Sequence, residues 1–318
     1  MPRHFLTGAE LDAADLGALL DRALELKAAP RSSRALEGRS IGLVFEKPST
    51  RTRVSFEVGV VELGGHPLIL RPDELQLSRG EPLRDTALVL SRHLDAVGVR
   101  TGPQAVVDEL AAAGSIPVFN MLTAVHHPCQ VLADLQTVRA AHGRLAGLTL
   151  AFLGDGSSNM AHSYLLGGAT AGMHVRIGAP QQYQPDRSIV AQAARIAERT
   201  GGSVEVDADP KAACHGADVL ATDVWASMGQ EDQEAQRLAA LSTYGPDDSY
   251  RLDEPKLALA APGCVVLHCL PAHRGTEIAA EVLDGPASVV WDEAENRLHA
   301  QKALLTWLLE RARLKEAP

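Results

Sequence analysis

Short apolar runs alternate with longer amphipathic stretches along most of the chain. The apolar run at residues 41–45 precedes an amphipathic stretch at 54–63, and apolar runs recur at 96–99, 116–120 and 148–153. A short continuous apolar run is typical of a strand buried on both faces, whereas apolar residues every three or four positions are typical of a helix. The alternation of the two patterns predicts an α/β fold with parallel sheets flanked by helices.

The pattern also predicts two domains. It restarts near residues 143–147, where a glycine-containing turn precedes a new strand. A chain of 318 residues is longer than one ordinary domain and can bury two cores. We therefore predict a first domain over residues 1–142 and a second over residues 143–297. The last helical stretch, residues 298–318, is predicted to pack back on the first domain.

Short segments of the chain have patterns of their own. Thr7 and Glu10 have the spacing of a capping box, which predicts that the first helix begins there. The polar, acidic residues 231–254 predict a mobile surface segment, and the apolar run at 288–291 predicts a strand. The polar loop at 71–81 is long, and long loops in compact domains often carry function.

Composition and charge exclude several classes of protein. The net charge is −10 and the isoelectric point about 5.6, which argues against nucleic acid or an anionic membrane as a partner. There is no basic-then-apolar leader and no apolar run long enough to span a bilayer, so we expect a cytoplasmic protein. The four cysteines are too sparse for a disulfide framework or a paired zinc motif. We expect reduced thiols, no metal and no cofactor.

A cluster of hydroxyl and guanidinium groups lies between the first predicted strand and its helix. The sequence there is Ser49-Thr50-Arg51-Thr52-Arg53. A helix N-terminus carries unpaired N–H groups and a partial positive charge, and arginine forks suit a phosphate or carboxylate. An isolated capped helix with solvated arginines is the alternative. The density of donors in an acidic chain favours a small phosphate-bearing ligand.

Further polar residues follow other predicted strands. Arg100, His127, Asp223 and Cys269 each come after an apolar run, and Gln130 begins the helix after His127. In parallel α/β sheets, ligands gather beyond the carboxyl ends of the strands, so we expect these residues at a binding crevice. Taken singly, each has a structural alternative: a surface turn for Arg100, packing for His127, a helix cap for Asp223 and an inert buried thiol for Cys269.

The glycine-rich turn at residues 154–159 allows a second class of function. A strand, a glycine-rich turn and a helix resemble the start of a dinucleotide-binding unit, which would indicate an oxidoreductase. The full glycine spacing is missing, and Asp207 is too distant to bind a ribose. We favour a tight turn that directs Asn159 at a small ligand. A non-catalytic protein that binds an anion is a further alternative.

The complete set of motifs resembles the ornithine carbamoyltransferases. FEKPSTRTRVSFE, HPCQ, DVWASMGQ, HCLPAHRG and ENRLH occur in that order over essentially the whole chain. STRTR and HPCQ are shared with the aspartate carbamoyltransferases, whereas the SMG and HCLP segments belong to the ornithine branch. The chain differs from the usual pattern at two places. Before HPCQ it has Ala124-Val125-His126, where the family usually has an acidic residue and an aromatic. In the glycine-rich turn it has Ser158, where an asparagine is common.

The resemblance implies two ligand sets. Carbamoyl phosphate would be bound by Ser49, Thr50, Arg51, Thr52, Gln76, Arg100, His127, Pro128, Cys129, Gln130, Cys269, Leu270 and Arg297. Gln76 would act at the site of a neighbouring subunit. L-Ornithine would be bound by Asn159, Asp223, Ser227 and Met228. The residues that resemble the family's catalytic groups are Arg100, His127, Asp223 and Cys269.

The resemblance further implies a reaction and an assembly. The expected reaction is carbamoyl transfer to the side-chain amine of L-ornithine, which gives L-citrulline and phosphate. The expected assembly is a homotrimer or a multiple of it. Aspartate, putrescine and N-acetylornithine remain alternative acceptors. The same site would serve the synthesis or the degradation of arginine.

Overall fold

The structure is a computed structural model that describes residues 2–226, 231–242 and 249–313. Strands and helices alternate along the chain, as predicted. The strands are β1 (Ser40–Phe45), β2 (His66–Leu70), β3 (Ala96–Arg100), β4 (Val118–Leu122), β5 (Thr149–Leu153), β6 (His174–Gly178), β7 (Ser203–Asp207), β8 (Val219–Thr222) and β9 (Val265–His268). The helices are α1 (Ala13–Ala28), α2 (Thr50–Glu62), α3 (Leu83–Leu90), α4 (Gln104–Ala113), α5 (Pro128–His142), α6 (Asn159–Thr170), α7 (Arg187–Thr200), α8 (Pro210–Cys214), α9 (Glu234–Ser242), α10 (Glu254–Leu257), α11 (Ala280–Leu283) and α12 (Val290–Arg313).

The chain divides into two compact units, Met1–Ala133 with Glu295–Pro318, and Asp134–Ala294. The first unit holds a parallel sheet with the strand order β2-β1-β3-β4, and the second holds one with the order β7-β6-β5-β8-β9. The predicted fold of two parallel sheets flanked by helices is therefore confirmed. The proposed domain limits of 1–142 and 143–297 stay a prediction.

Each sheet has a point at which the strand order reverses. In the first sheet β1 is flanked by β2 and β3, and in the second β5 is flanked by β6 and β8. The crossovers to either side of such a strand leave a crevice beyond its carboxyl end, where ligands of α/β proteins bind. The loops after β1 and β3, and those after β5 and β8, are therefore placed for binding within their own units.

The C-terminal helix packs on the first unit, as predicted. The ammonium of Lys302 is fully buried and donates to Glu62 Oε2 at 2.5 Å and to the Pro30 carbonyl at 2.8 Å. Lys27 Nζ donates to Asn296 Oδ1 at 2.8 Å. Because Leu304, Leu305, Leu308 and Leu309 of α12 are also buried, the helix is held by both burial and specific polar contacts.

Three local predictions were wrong. Helix α1 begins at Ala13 with Asp12 as its cap, and the Thr7 and Glu10 side chains instead close a preceding turn. Residues Glu234–Ser242 of the expected mobile segment form α9. The run at 288–291 is not a strand, since Ser288 makes one isolated bridge and α12 begins at Val290 with acidic residues in its first turn. None of the helices in the described ranges has the length and apolar character needed to cross a membrane.

Candidate active site

The first turn of α2 forms the start of the candidate anion site. Ser49 is the N-cap, and its hydroxyl accepts a hydrogen bond from the Thr52 amide at 3.2 Å. Thr50 and Arg51 occupy the first turn, where backbone N–H groups point out of the helix end. The predicted strand-to-helix turn is therefore present, with its cap, at the carboxyl end of β1.

Arg100 lies at the same edge of the sheet. It is the last residue of β3, opposite Phe45 at the end of β1, and its carbonyl accepts from the Glu46 amide at 2.9 Å. Its side chain is buried with 5% of its surface exposed. The alternative of a surface turn residue is thereby excluded for Arg100.

His127 lies in the field of three arginines. It is buried immediately before α5, and its pKa is well below the usual 6.5, chiefly because of burial and then because of Arg297, Arg100 and Arg51. The imidazole is therefore neutral near pH 7 and can donate a hydrogen bond from one ring nitrogen. Arg51 and Arg100 are thus among the charges that act on His127 within the first unit, and these three residues were expected from the sequence at one crevice.

Arg297 joins three elements of the first unit. Its guanidinium is 3% exposed, donates through Nη2 to Thr52 Oγ1 at 3.1 Å, and donates through Nη1 to Gln130 Oε1. It therefore reaches α2 and α5 from α12. Thr52 Oγ1 accepts from Arg297, so its own proton is directed elsewhere.

Pro128 and Cys129 of the HPCQ motif have side chains that serve the fold. Pro128 is the first residue of α5. The Cys129 thiol is fully buried and donates to the Asn120 carbonyl at 3.1 Å, and burial raises its pKa to about 12. The Cys129 side chain is thus an unreactive packing group. Gln76 is exposed at the start of a short 3-10 turn, and its role at a neighbouring subunit stays a prediction.

A second cluster lies at the carboxyl ends of β8 and β9 in the other unit. Asp223 is 8% exposed, and its Oδ1 accepts from the Val224 amide at 2.8 Å and from the Cys269 thiol at 3.1 Å. The pKa of Cys269 is well above 9.0, because of burial first and then because of the Asp223 charge. The sulfur is therefore a protonated donor and not a thiolate. Burial also raises the pKa of Asp223.

His268 and Glu277 support this second cluster. The Leu270 amide donates to His268 Nδ1 at 2.9 Å, which places the ring proton on Nε2, 3.2 Å from Glu277 Oε1. Both side chains are buried. Leu270 itself has a φ of 57°, a conformation that residues other than glycine seldom adopt. The sequence did not indicate Glu277, because no motif or regular spacing connects it to the strand that precedes it.

The second cluster also has the side chains to hold a metal ion. One ligand atom from each of Asp223, His268 and Cys269 lies within 4.8 Å of the others. Both nitrogens of His268 already make hydrogen bonds, and the thiol is protonated. Binding an ion here would require these groups to give up a bond or a proton.

The turn after β5 does not have the features of a dinucleotide site. Asn159 begins α6, which Ser158 caps by accepting from the Ala161 amide at 3.2 Å. The next strand along the chain, β6, lies beside β5 and ends at Gly178. Asp207 at the end of β7 is therefore one strand too far from β5 to bind a ribose. The Asp155 carboxylate of this turn is instead paired with Arg237 of α9. Ser227 and Met228 lie outside the described residues.

Two family models together match nearly the whole chain. Residues 3–140 match the carbamoyl-P binding domain of aspartate/ornithine carbamoyltransferase, and residues 146–308 match its Asp/Orn binding domain. The chain belongs to the aspartate/ornithine carbamoyltransferase family. The family suggested by the motifs is therefore confirmed.

Individual carbamoyltransferases are similar over their full length. The ornithine carbamoyltransferase of Renibacterium salmoninarum is 54% identical over 317 residues, which cover 98% of this chain and 100% of that protein. The ornithine carbamoyltransferase structure from Pyrococcus furiosus has a TM-score of 0.91 at 41% identity and 97% coverage of both chains. That from Gloeobacter violaceus has a TM-score of 0.85 at 46% identity, with coverage of 96% and 98%.

Proposed function

We propose that the chain transfers the carbamoyl group of carbamoyl phosphate to the side-chain amine of L-ornithine, giving L-citrulline and phosphate. The observation that carries the proposal is that Arg297 joins Thr52 of α2 to Gln130 of α5 and, with Arg100 and Arg51, acts electrostatically on the buried, neutral His127. The names of relatives more than half identical to this chain support ornithine as the acceptor. The SMG and HCLP segments of the sequence support the same choice.

In the proposed mechanism, the first unit binds the phosphate and stabilises developing charge. The capped N-terminus of α2, with Ser49, Thr50 and Arg51, holds the phosphate dianion. Attack by an amine places negative charge on the carbamoyl oxygen, and Thr52, Arg100 and His127 are the donors directed at it. A neutral histidine serves as a donor here without competing for the proton of the attacking amine. Donors held in place before the reaction need no reorganisation when the charge forms.

The second unit binds the amine. The side-chain amine of ornithine is largely an ammonium near pH 7, by analogy with the lysine pKa of about 10.4, and it must lose a proton before it attacks. The Asp223 carboxylate attracts and orients that ammonium, with the Cys269 thiol hydrogen-bonded to the same carboxylate. One proton of the ammonium passes to solvent, and the amine nitrogen then bonds to the carbamoyl carbon as the bond from that carbon to the phosphate oxygen breaks. The leaving phosphate takes the second proton that the nitrogen loses, which gives citrulline and hydrogen phosphate. Asn159, Ser227 and Met228 are proposed to hold the rest of ornithine, and Leu270 the carbamoyl phosphate.

We further propose a trimer-based assembly in the cytoplasm. Val54, Val58 and Val61 form an exposed apolar stripe along α2, beside a groove of about 490 Å³ that Arg31 and Glu62 also line. Such a stripe supports contact with a second copy of the chain. Gln76 would then complete a neighbour's site. The four free cysteines support a reducing compartment. Sedimentation equilibrium of the purified protein tests the assembly, and a monomer at micromolar concentration contradicts it.

The activity is tested with carbamoyl phosphate and a panel of amines. Citrulline should form faster from L-ornithine than the corresponding products from aspartate, putrescine or N-acetylornithine. Arg51→Ala should lower kcat/KM for carbamoyl phosphate by about 100-fold or more, because charge-assisted hydrogen bonds to the phosphate are lost. Arg84→Ala, which removes an arginine 71% exposed on α3, is the matched control. Equal rates for all amines, or normal turnover of a folded Arg51→Ala protein, contradict the proposal.

A further inference from the structure

Gln301 is a buried amide with no motif around it. It lies one helical turn after Arg297 on α12, which places both side chains on the same face of the helix. None of its surface is exposed. In the amide orientation that satisfies both ends, its oxygen accepts from Nε and Nη2 of Arg297, each at 3.0 Å. Its nitrogen donates to Ser55 Oγ at 2.7 Å and to the Arg297 carbonyl at 3.3 Å.

The amide connects Arg297 to the helix that carries the anion site. Ser55 Oγ, which accepts from Gln301, donates to the Arg51 carbonyl at 2.7 Å. On its other edges the Arg297 guanidinium contacts Thr52 Oγ1 and Gln130 Oε1. The plane of the guanidinium is thus set by α12, α2 and α5 together. The Gln301 oxygen accepts from both Nε and Nη2, and two hydrogen bonds to one edge keep the guanidinium from rotating.

We propose that Gln301 is a positioning residue that orients the Arg297 guanidinium toward the anionic substrate while leaving its positive charge undiminished. The inference rests on the proposed function, because it takes Arg297 as a ligand of carbamoyl phosphate. An amide suits this role because its oxygen accepts the two N–H groups and carries no charge. A carboxylate at the same place would pair with Arg297 and reduce the attraction for the substrate. An apolar side chain would leave buried N–H groups without an acceptor.

The charge of Arg297 is also felt by a neighbouring group. His127 faces Arg297 from α12, Arg100 from β3 and Arg51 from α2. Any change that neutralises Arg297 therefore makes protonation of His127 easier. A neutral partner for Arg297 keeps His127 in the form that donates one hydrogen bond and carries no charge. The dependence of kcat/KM on pH therefore reports on the charge of Arg297 separately from any effect of packing.

Three variants test the role of Gln301. Gln301→Met keeps the length of the side chain and removes the acceptor, and it should raise KM for carbamoyl phosphate about tenfold or more while KM for L-ornithine changes less. Gln301→Glu keeps the acceptor and adds a charge, and it should move the acidic limb of the pH profile of kcat/KM to higher pH. Thr306→Val is a buried change on the same helix, at a hydroxyl that donates to the Lys302 carbonyl of α12 at 2.9 Å, and it should alter neither quantity.

The outcomes separate the inference from the proposed function. Normal KM for carbamoyl phosphate in a folded Gln301→Met protein, or an unshifted pH profile in Gln301→Glu, overturns the inference while citrulline formation by the parent protein continues. Should Gln301→Met fail to fold, the pH profile of Gln301→Glu decides. If the parent protein forms no citrulline, the proposed function fails, and calorimetry with carbamoyl phosphate decides on Gln301. Weaker binding by Gln301→Met than by Thr306→Val then supports the inference, and equal binding overturns it.

Discussion

The change Asp223→Asn removes the negative charge of a carboxylate and keeps the shape of the side chain. In the structure, Asp223 Oδ1 accepts from the Val224 amide at 2.8 Å and from the Cys269 thiol at 3.1 Å. An asparagine oxygen can accept both bonds, so the local geometry should persist. Burial raises the pKa of Asp223, which shows that its ionised form is disfavoured in the folded chain. We therefore expect the melting temperature of Asp223→Asn to equal or exceed that of the parent protein.

The kinetic effect should be large and confined to one substrate. A hydrogen bond to a charged group contributes about 1.5 to 3 kcal/mol, so loss of the carboxylate charge should lower kcat/KM for L-ornithine by about 10-fold to 150-fold. KM for carbamoyl phosphate should change by less than about twofold, because the groups proposed to bind its phosphate belong to the other unit. Initial rates with each substrate varied in turn measure both quantities.

A second carboxylate, after another strand of the same sheet, serves as the control. Asp209 follows β7 and caps α8 by accepting from the Lys211 amide at 2.8 Å. Asp209→Asn should leave both kinetic constants unchanged. Residues 223–226 contain no helix that Asp223 could cap, so the alternative of a purely structural cap finds no support there. If folded Asp223→Asn has the parent's kcat/KM for L-ornithine, the proposed role of Asp223 is refuted.

Three further predictions concern buried groups. Lys302→Met should lower the free energy of unfolding in denaturant titrations by about 3 to 5 kcal/mol, because Glu62 is left without its buried partner. Loss of the exposed ion pair between Arg274 and Asp284 should have no measurable effect, and equal effects of the two changes would contradict the reasoning. Iodoacetamide should alkylate Cys269 slowly at pH 8, because burial and the Asp223 charge raise the pKa of its thiol. Alkylation should be faster in Asp223→Asn, where that charge is absent. Mass spectrometry measures both rates, and equal rates would refute the prediction. The pKa of His127 lies well below 6.5, so as the pH falls below about 6.5 the unfolded chain binds a proton at this residue that the folded chain does not. The free energy of unfolding should therefore fall with pH in this range. In denaturant titrations it should fall less steeply for His127→Gln, and an equal dependence on pH would contradict the assignment.

The local features of the fold could be read from short segments of sequence. Continuous apolar runs identified the buried strands, since a strand covered on both faces has no polar side. The cationic turn after β1 was predicted because a strand-to-helix change shows in the local pattern of apolar residues, and the structure identifies Ser49 as the cap. Predictions failed where tertiary contacts override local preference. Ser288 pairs with Val266 through one isolated bridge, and the β-branched residues after it nevertheless enter α12.

The sequence by itself determined the elements, the order of the motifs and the sheet edge at which Arg100 and His127 would lie, because these follow from periodicity and from the geometry of parallel strands. Only the tertiary structure decided which distant side chains meet. Arg297 contacts Thr52 from 245 positions away, Gln301 meets Ser55 across two helices, and Glu277 meets His268 of β9. Such pairings depend on how helices and strands are arranged in three dimensions, and no local pattern in the chain encodes that arrangement.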